Sequence, residues 1–362
     1  MSFVHLIYVL NYINTFYIMG KVIYLWDYLK GAKKPIVLYG MGNGADKIIK
    51  ALERVSVKPS GVFATDGFVR DKRFHGMSLT TYSALKERFG DMTVLLCFGS
   101  SRPEVLENIN RIAAEQELLV PDVPVYGDGL FDSEYAAAHT EELLWVYSRL
   151  ADEKSRETLE NTVNFKLSGK PEYLYRCEVS HDEPFQSFLM LCDDESYLDL
   201  GAYNGDTVLE FIQKTGKYKS ITAVEPDNKS FKKLTANTGG LENLTLINAC
   251  VGEADGTAGF SSRKGRGSGM GIGEDCKMIS VDSLNGGFSF IKADVEGSET
   301  AMLKGAESTI LRCRTKMQIA CYHRTGDLTD IPRAVCKIRN DYRIYMRHFP
   351  GLPAWDINYY FI

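Results

Sequence analysis

The chain has no Cys-x-x-Cys pair, no surplus of positive charge and no uninterrupted apolar run long enough to cross a bilayer; each absence removes a class of protein. Its eight cysteines, at 97, 177, 192, 250, 276, 313, 321 and 336, are scattered. Such spacing builds neither a zinc site nor a compact disulfide framework, and no metal-ligand set is expected; a reducing cytoplasm is the simplest compartment. Lys and Arg number 42 against 47 Asp and Glu, for a formal net charge of −5. Nucleic acid as the main partner would call for a basic surface instead. The aromatic stretch from Met1 to Tyr28 is broken by His5, Asn11 and Asn14, so its apolar runs fall short of the roughly 18 residues a span needs. It has no positively charged n-region or small-residue cleavage site, which argues against a secretory signal. A docked or irregular extension is expected rather than stable membrane insertion, with an interface segment or an anchor as alternatives and Met19 as an alternative start.

What is present is ordinary globular material: 362 residues, 44% hydrophobic and 25% charged, enough for two or three domains. PIVLYGMGNGADKIIKAL, from Pro35, reads as a strand, a glycine turn and a helix with Ile48, Ile49 and Leu52 on one face. A second strand ends near Asp66, and Thr93 to Ser100 is a continuous apolar run of the kind a doubly covered strand shows. The expected division is an extension at 1–30, a small Rossmann-like domain at 31–130, a helical connector at 131–195, and a second α/β series at 196–362. The fold class is therefore α/β, two doubly wound Rossmann-like domains joined by helices.

The second series opens on YLDLGAYNGDT, Tyr197 to Thr207. A dinucleotide fold needs G-x-G-x-x-G so that backbone can approach a pyrophosphate. Here Tyr203 occupies the middle glycine's place, and Asp199 would repel phosphate. An acidic turn suits a ligand that carries positive charge, and S-adenosylmethionine, with its sulfonium and ammonium, is such a ligand. Twenty residues beyond Gly205, Glu225 ends a strand where an acid can accept both ribose hydroxyls, and Leu246 to Gly252 would lie beside an adenine. The residues expected to hold the cofactor are Asp199, Gly201, Ala202, Tyr203, Gly205 and Asp206 in the turn, Glu225 and Pro226 at the second strand end, Ala249, and Glu296. A glycine turn that only packs helix on strand is the plain alternative.

DLGAYNGDT at 199–207, AVEPD at 223–227 and above all FIKADVEGSETAMLKGA at 290–306 resemble the FkbM family of S-adenosylmethionine-dependent methyltransferases. The likeness covers about 196–362. It implies a class I methyltransferase fold and an O-methyltransferase acting on a hydroxyl of a sugar, polyketide or other secondary metabolite. The partner is then a small-molecule or glycan acceptor.

Methyl transfer asks the protein mainly to position the acceptor and receive its proton. Strand alternation would put Lys292, Asp294 and Glu296 on one face of FIKADVEG, where three charges in a buried strand would be costly without a function. The expected catalytic residues are Asp294, which orients the acceptor hydroxyl or assists its deprotonation, Lys292, which neutralises a carboxylate, and His323, whose ordinary pKa near 6.5 suits a general base. Arg347 and His348 are expected near substrate. From Arg312 to His348 there are nine Lys or Arg against three Asp or Glu, an excess compatible with a phosphorylated or nucleotide-linked sugar. The glycine-rich basic stretch Ser261 to Gly273 reads as a loop or a cover over substrate.

In the first domain, Gly40, Gly42 and Gly44 with Asp66 make a weak nucleotide fingerprint whose third glycine is displaced by one place. It leaves open nucleotide or nucleotide-sugar binding, nicotinamide binding with an oxidoreductase function, a non-catalytic nucleotide-binding protein, and a purely structural unit. Ser100 and Arg102 would stand at the same sheet edge. Homo-oligomerisation is also left open.

Overall fold

The computed structural model describes residues 24–65, 72–261, 269–270 and 274–362. Helix Leu25–Gly31 buries Leu25, Trp26 and Leu29 in the core of the first domain, so that core draws on residues before 31. Strands β1 (Ile36–Tyr39), β2 (Gly61–Phe63), β3 (Arg73–Phe74), β4 (Met77–Thr80), β5 (Thr93–Leu96) and β6 (Glu117–Leu119) form one sheet in the order β3-β4-β2-β1-β5-β6. All pairs in it are parallel except β3 with β4. Helix Asn43–Arg54 buries Ala45, Ile48, Ile49 and Leu52 against it, the stripe its 3.6-residue period predicts.

Beyond helices Thr140–Arg149 and Glu153–Ser168 come β7 (Ser196–Leu200), β8 (Ser220–Val224) and β9 (Leu244–Ile247). Next are β10 (Cys250–Val251), β11 (Gly256–Ser261), β12 (Gly269–Met270), β13 (Glu274–Ile279) and β14 (Phe290–Ala293). The last are β15 (Lys316–Ala320), β16 (Ile344–His348) and β17 (Ile357–Phe361). The main sheet runs β16-β17-β15-β14-β7-β8-β9, with β17 antiparallel to both its neighbours. Leu246 to Gly252 is thus not one strand: β9 ends at Ile247, and Cys250–Val251 joins a separate sheet, β10-β13-β11-β12.

One continuous core contains Val37 and Tyr39 of the first sheet, Leu159 and Phe165 of the connector, and Met346 and Tyr359 of the main sheet. The connector is also pinned by charge. Arg347, fully buried, donates to Asp152 Oδ2 at 2.7 Å and Glu183 Oε2 at 2.7 Å. His348 is equally buried, and burial pulls its ring down to about 4, so it stays neutral. Both expectations of substrate contact for these two residues are corrected: they sit inside the β16 layer.

The first glycine turn is occupied by protein. A Cβ on Gly44 would lie 2.4 Å from the Cys97 carbonyl oxygen, and one on Gly40 2.6 Å from the Phe98 ring. Gly42, at φ +124°, faces open space. Asp66 lies outside the described residues. The neighbouring edge is not free either: Ser100 exchanges backbone hydrogen bonds of 2.7 and 3.0 Å with Leu352, and the Trp355 ring covers Gly99. Arg102 turns instead to Glu104 at the surface, 2.7 Å from Nε. Most of the Ser261–Gly273 stretch is likewise outside the described residues.

Candidate active site

Register builds the centre of the site. In the β14–β7 ladder Lys292 stands opposite Asp199, and the two make an ion pair of 3.4 Å. Asp199 is completely buried; Thr207 Oγ1 donates to its Oδ2, while Oδ1 has no hydrogen-bond donor. Burial raises the Asp199 carboxyl and Lys292 draws it back; burial likewise opposes the Lys292 ammonium, but Asp199 and Asp294 outweigh it and hold it charged. The acid of the turn is therefore neutralised in place, which corrects the expectation that it simply presents negative charge to a ligand.

Lys292 Nζ also donates 3.0 Å to the Gly201 carbonyl. Gly201, at φ +81°, touches the turn after β14 so closely that a Cβ there would fall 1.9 Å from the Asp294 carbonyl oxygen. Glycine at 201 thus joins the end of β7 to the end of β14. Gly205 supplies the left-handed residue before helix Asp206–Thr215, whose first turn carries the exposed Asp206.

At the end of β8, Glu225 is buried and accepts from Tyr203 N at 2.9 Å and Asp227 N at 2.7 Å. Burial pushes its carboxyl up to about 7 despite those donors. No cation pairs with it among the described residues. Ala202 and Ala249 are fully buried beside it, Pro226 is half-buried, and Asn248 Nδ2 holds the Glu225 and Pro226 carbonyls at 2.8 and 3.1 Å. Tyr203 is 53% exposed and has positive φ.

Strand β14 ends at Ala293, so Lys292, Asp294 and Glu296 do not share a strand face. Glu296 lies in a left-handed turn at φ +52°, and the Gly297–Ser298 breaker that follows accounts for the early ending. Asp294 N donates 2.9 Å to Leu200 O, and Tyr322 Oη reaches Asp294 Oδ1 and Oδ2 at 3.2 and 3.3 Å. Burial would raise the Asp294 carboxyl; the His323 and Lys292 cations reverse that and hold it well below the usual carboxylate range.

His323 follows β15 and is completely buried. Its Nε2 lies 3.2 Å from Asp294 Oδ1 and 3.6 Å from Glu296 Oε2, and its Nδ1 lies 2.9 Å from Glu299 Oε1. None of these has the alignment of a good hydrogen bond, so they act as close ion pairs. Burial opposes charge on the ring, but Glu299 and Asp294 outweigh it and keep the imidazole protonated well above its ordinary range. A ring already carrying both protons cannot take another, so the general-base expectation for His323 is corrected: it is a fixed cation. Asp294, Glu299 and His323 also bring one donor atom each within 4.8 Å of one another. A divalent ion could bridge such a set only by displacing a proton from the ring.

Residues 199–343 match the model of the methyltransferase FkbM domain. Over those residues the chain is similar to the FkbM methyltransferase family. A crystal structure of methyltransferase FkbM from Methylobacillus flagellatus KT is similar over 95% of this chain and 96% of its own, with TM-score 0.70 and 21% identity. That likeness extends the shared fold to the first domain and the connector. Weaker likenesses include a precorrin-6y C5,15-methyltransferase from Geobacter metallireducens GS-15 (TM-score 0.33, 14% identity, 49% of this chain, 84% of that one). Another is Aeropyrum pernix fibrillarin with natively bound S-adenosyl-L-methionine (TM-score 0.31, 13%, 47% and 67%). Among curated proteins none matches.

Four side chains of this site were not singled out from sequence. Thr207 and Glu299 lie inside the quoted motifs, so a signal existed. Tyr322 precedes His323 on the same loop. Tyr126 comes from the segment after β6 in the first domain: its backbone N donates 2.9 Å to the His323 carbonyl, and its ring carries the Arg324 guanidinium at 4.4 Å. Nothing in the sequence places it there. No helix among the described residues is long and apolar enough to cross a membrane.

Proposed function

We propose that the chain is an S-adenosylmethionine-dependent O-methyltransferase whose acceptor is a sugar or secondary-metabolite hydroxyl. The single observation that carries this reading is Asp294: a half-exposed, ionised carboxylate fixed by Tyr322, His323 and its own backbone at the end of the central strand, where ligands gather in open α/β sheets. The cofactor residues fit their group at Glu225, a buried carboxylate held by two backbone donors and in no ion pair among the described residues. Bound S-adenosylmethionine would supply a methyl group already activated by its sulfonium.

Glu225 would accept the ribose hydroxyls while Ala249 and Pro226 border the adenine. Asp294 accepts the acceptor's hydroxyl hydrogen and so aims the oxygen lone pair. A carboxylate held this far down is a weak base toward a neutral alcohol. As the new C–O bond forms, however, that hydroxyl hydrogen becomes strongly acidic, and Asp294 then takes it and passes it to solvent. Arg324 favours an acceptor with an anionic group, such as a phosphorylated or nucleotide-linked sugar. Its Nε donates 2.6 Å to Gly297 O and its plane rests on Tyr126. It pairs with no carboxylate among the described residues, which leaves the guanidinium fork to a ligand.

The test is transfer of labelled methyl from S-adenosylmethionine to a panel of neutral, phosphorylated and nucleotide-linked sugars, with Asp294→Asn alongside. Turnover should fall about 100-fold or more while S-adenosylhomocysteine binds as before. Loss of cofactor binding instead would reassign Asp294 to the cofactor, and undiminished turnover would remove it from the chemistry.

A further inference from the structure

We propose that Glu299 is a positioning residue: acting through His323, it keeps the Asp294 carboxylate ionised and aimed at the acceptor hydroxyl. This rests on the role given to Asp294 above. Glu299 is only 1% exposed although it stands in the first turn of a short helix, Glu299–Lys304. Its Oε1 turns back to accept from Val295 N at 3.1 Å and Gly297 N at 3.3 Å, and meets His323 Nδ1 at 2.9 Å. Those two backbone donors could be served by a neutral glutamine. Burying a charged group costs several kcal/mol unless it is compensated, so what needs the charge is the ring.

The groups facing that ring are Asp294 and Glu296 at Nε2, Glu299 at Nδ1, Asp327 beside Glu299, and the Tyr322 ring at 4.2 Å, with Lys292 behind Asp294. Carboxylates only accept, so a ring between two of them carries a proton on each nitrogen. Asp327 also lies on the Nδ1 side, where burial first, then the Glu299 charge, push its carboxyl up to about 7 and leave it only partly ionised at neutral pH. Glu299, whose Oε1 lies 2.9 Å from Nδ1, is the carboxylate in direct contact with the second ring proton. Without it the ring would hold its second proton less tightly, the cation beside Asp294 would be less secure, and the carboxylate would bind a proton more readily and turn more freely about its side-chain bonds.

Glu299→Gln in the full chain tests this, because glutamine Oε1 can still serve Val295 and Gly297. The first readout needs no acceptor: 15N-imidazole signals of histidine-labelled protein, with His323 assigned by its loss in His323→Gln. The wild-type ring should remain doubly protonated from about pH 6 to 8, and in Glu299→Gln its proton affinity should fall tenfold or more, about one pH unit. On whichever sugar of the panel is methylated, Glu299→Gln should lower turnover about tenfold or more, move the acid limb of the pH–rate profile upward, and leave S-adenosylhomocysteine affinity within about twofold. A wild-type ring that is neutral at pH 7 would overturn the proposal even if the variant failed to fold. So would an unchanged ring titration in Glu299→Gln. Micromolar Mg2+, Mn2+ or Zn2+ shifting the His323 signals, reversed by chelation, would overturn it too, and would make the cluster a metal site. An inactive Asp294→Asn beside a wild-type-like Glu299→Gln removes only this inference; a fully active Asp294→Asn removes the reading beneath it as well.

Discussion

The chain contains two glycine turns that follow a first parallel strand, and the structure fills them in opposite ways. At the turn after β1, two glycines serve internal packing: Gly44 lets its helix rest on the Cys97 carbonyl and Gly40 makes room for Phe98, while Trp355 and Leu352 close the edge nearby. At the turn after β7, Gly201 presses against the backbone of Asp294, and charged groups surround the contact: Asp199 with Lys292, then Glu225, then Asp294. A glycine turn is thus only a licence for close approach. What approaches is decided by the side chains at the ends of the neighbouring strands.

The largest expected effect comes from the second turn. In Gly201→Ala the new methyl would sit 1.9 Å from a carbonyl oxygen that has no rotamer by which to withdraw, at a φ that alanine also resists. Either β14 shifts or the turn opens. We expect a loss above about 4 kcal/mol, on the order of 10 °C in Tm, together with loss of S-adenosylhomocysteine binding measured by calorimetry. A variant with wild-type affinity would mean that the junction of the β7 and β14 turns does not shape the cofactor site.

A smaller effect, and a sharper one, concerns Glu225. Its folded-state carboxyl is raised to about 7 by burial, above the ordinary value of 4.5. A raised pKa means that this group's contribution to stability is complete below about pH 4.5 and is lost as pH rises through about 7. The ligand-free protein should therefore lose this contribution between those values. Ribose hydroxyls donate to the ionised form, so binding should release a proton, and affinity should weaken as pH falls below 7, by up to about tenfold per unit. Calorimetry in buffers of different ionisation enthalpy reads the proton directly. Glu225→Gln should bind more weakly and lose the pH dependence; proton uptake in the wild type would contradict a ribose contact.

Much of this architecture is legible in the residues, for identifiable reasons. Strands such as Gly61–Phe63 and Thr93–Leu96 read clearly because parallel strands covered on both faces are largely apolar. The C-terminal ends of β7, β8 and β14 then name Asp199, Glu225 and Asp294 as neighbours. Register was not legible: only the ladder that sets Lys292 against Asp199 shows that the turn's acid is neutralised. Strand alternation was carried too far past Ala293, although Gly297 and Ser298 announce a break. The roles of Arg347 and His323 failed for a shared reason. Sequence gives a side chain's chemistry but not its burial, and both are enclosed by carboxylates contributed from distant segments, Asp152 and Glu183 for one, Asp294 and Glu299 for the other. The β16–β17 hairpin was not anticipated; β17 runs antiparallel beside β15.

The smallest expected effect belongs to Gly42, and it is the one that can break the comparison. A methyl there meets nothing within 4 Å, so Gly42→Ala carries only the backbone cost of holding alanine at φ +124°, about 1–3 kcal/mol. If the first turn serves packing alone, the variant loses a few degrees of Tm and keeps its S-adenosylhomocysteine affinity unchanged. Wild type and variant should then respond alike to NADH and to a nucleotide-linked sugar in thermal shift. If instead either compound stabilises the wild type and not the variant, the open face of Gly42 receives a phosphate at the start of helix Asn43–Arg54. The two turns would then differ in the charge of their ligands, not in whether they have one.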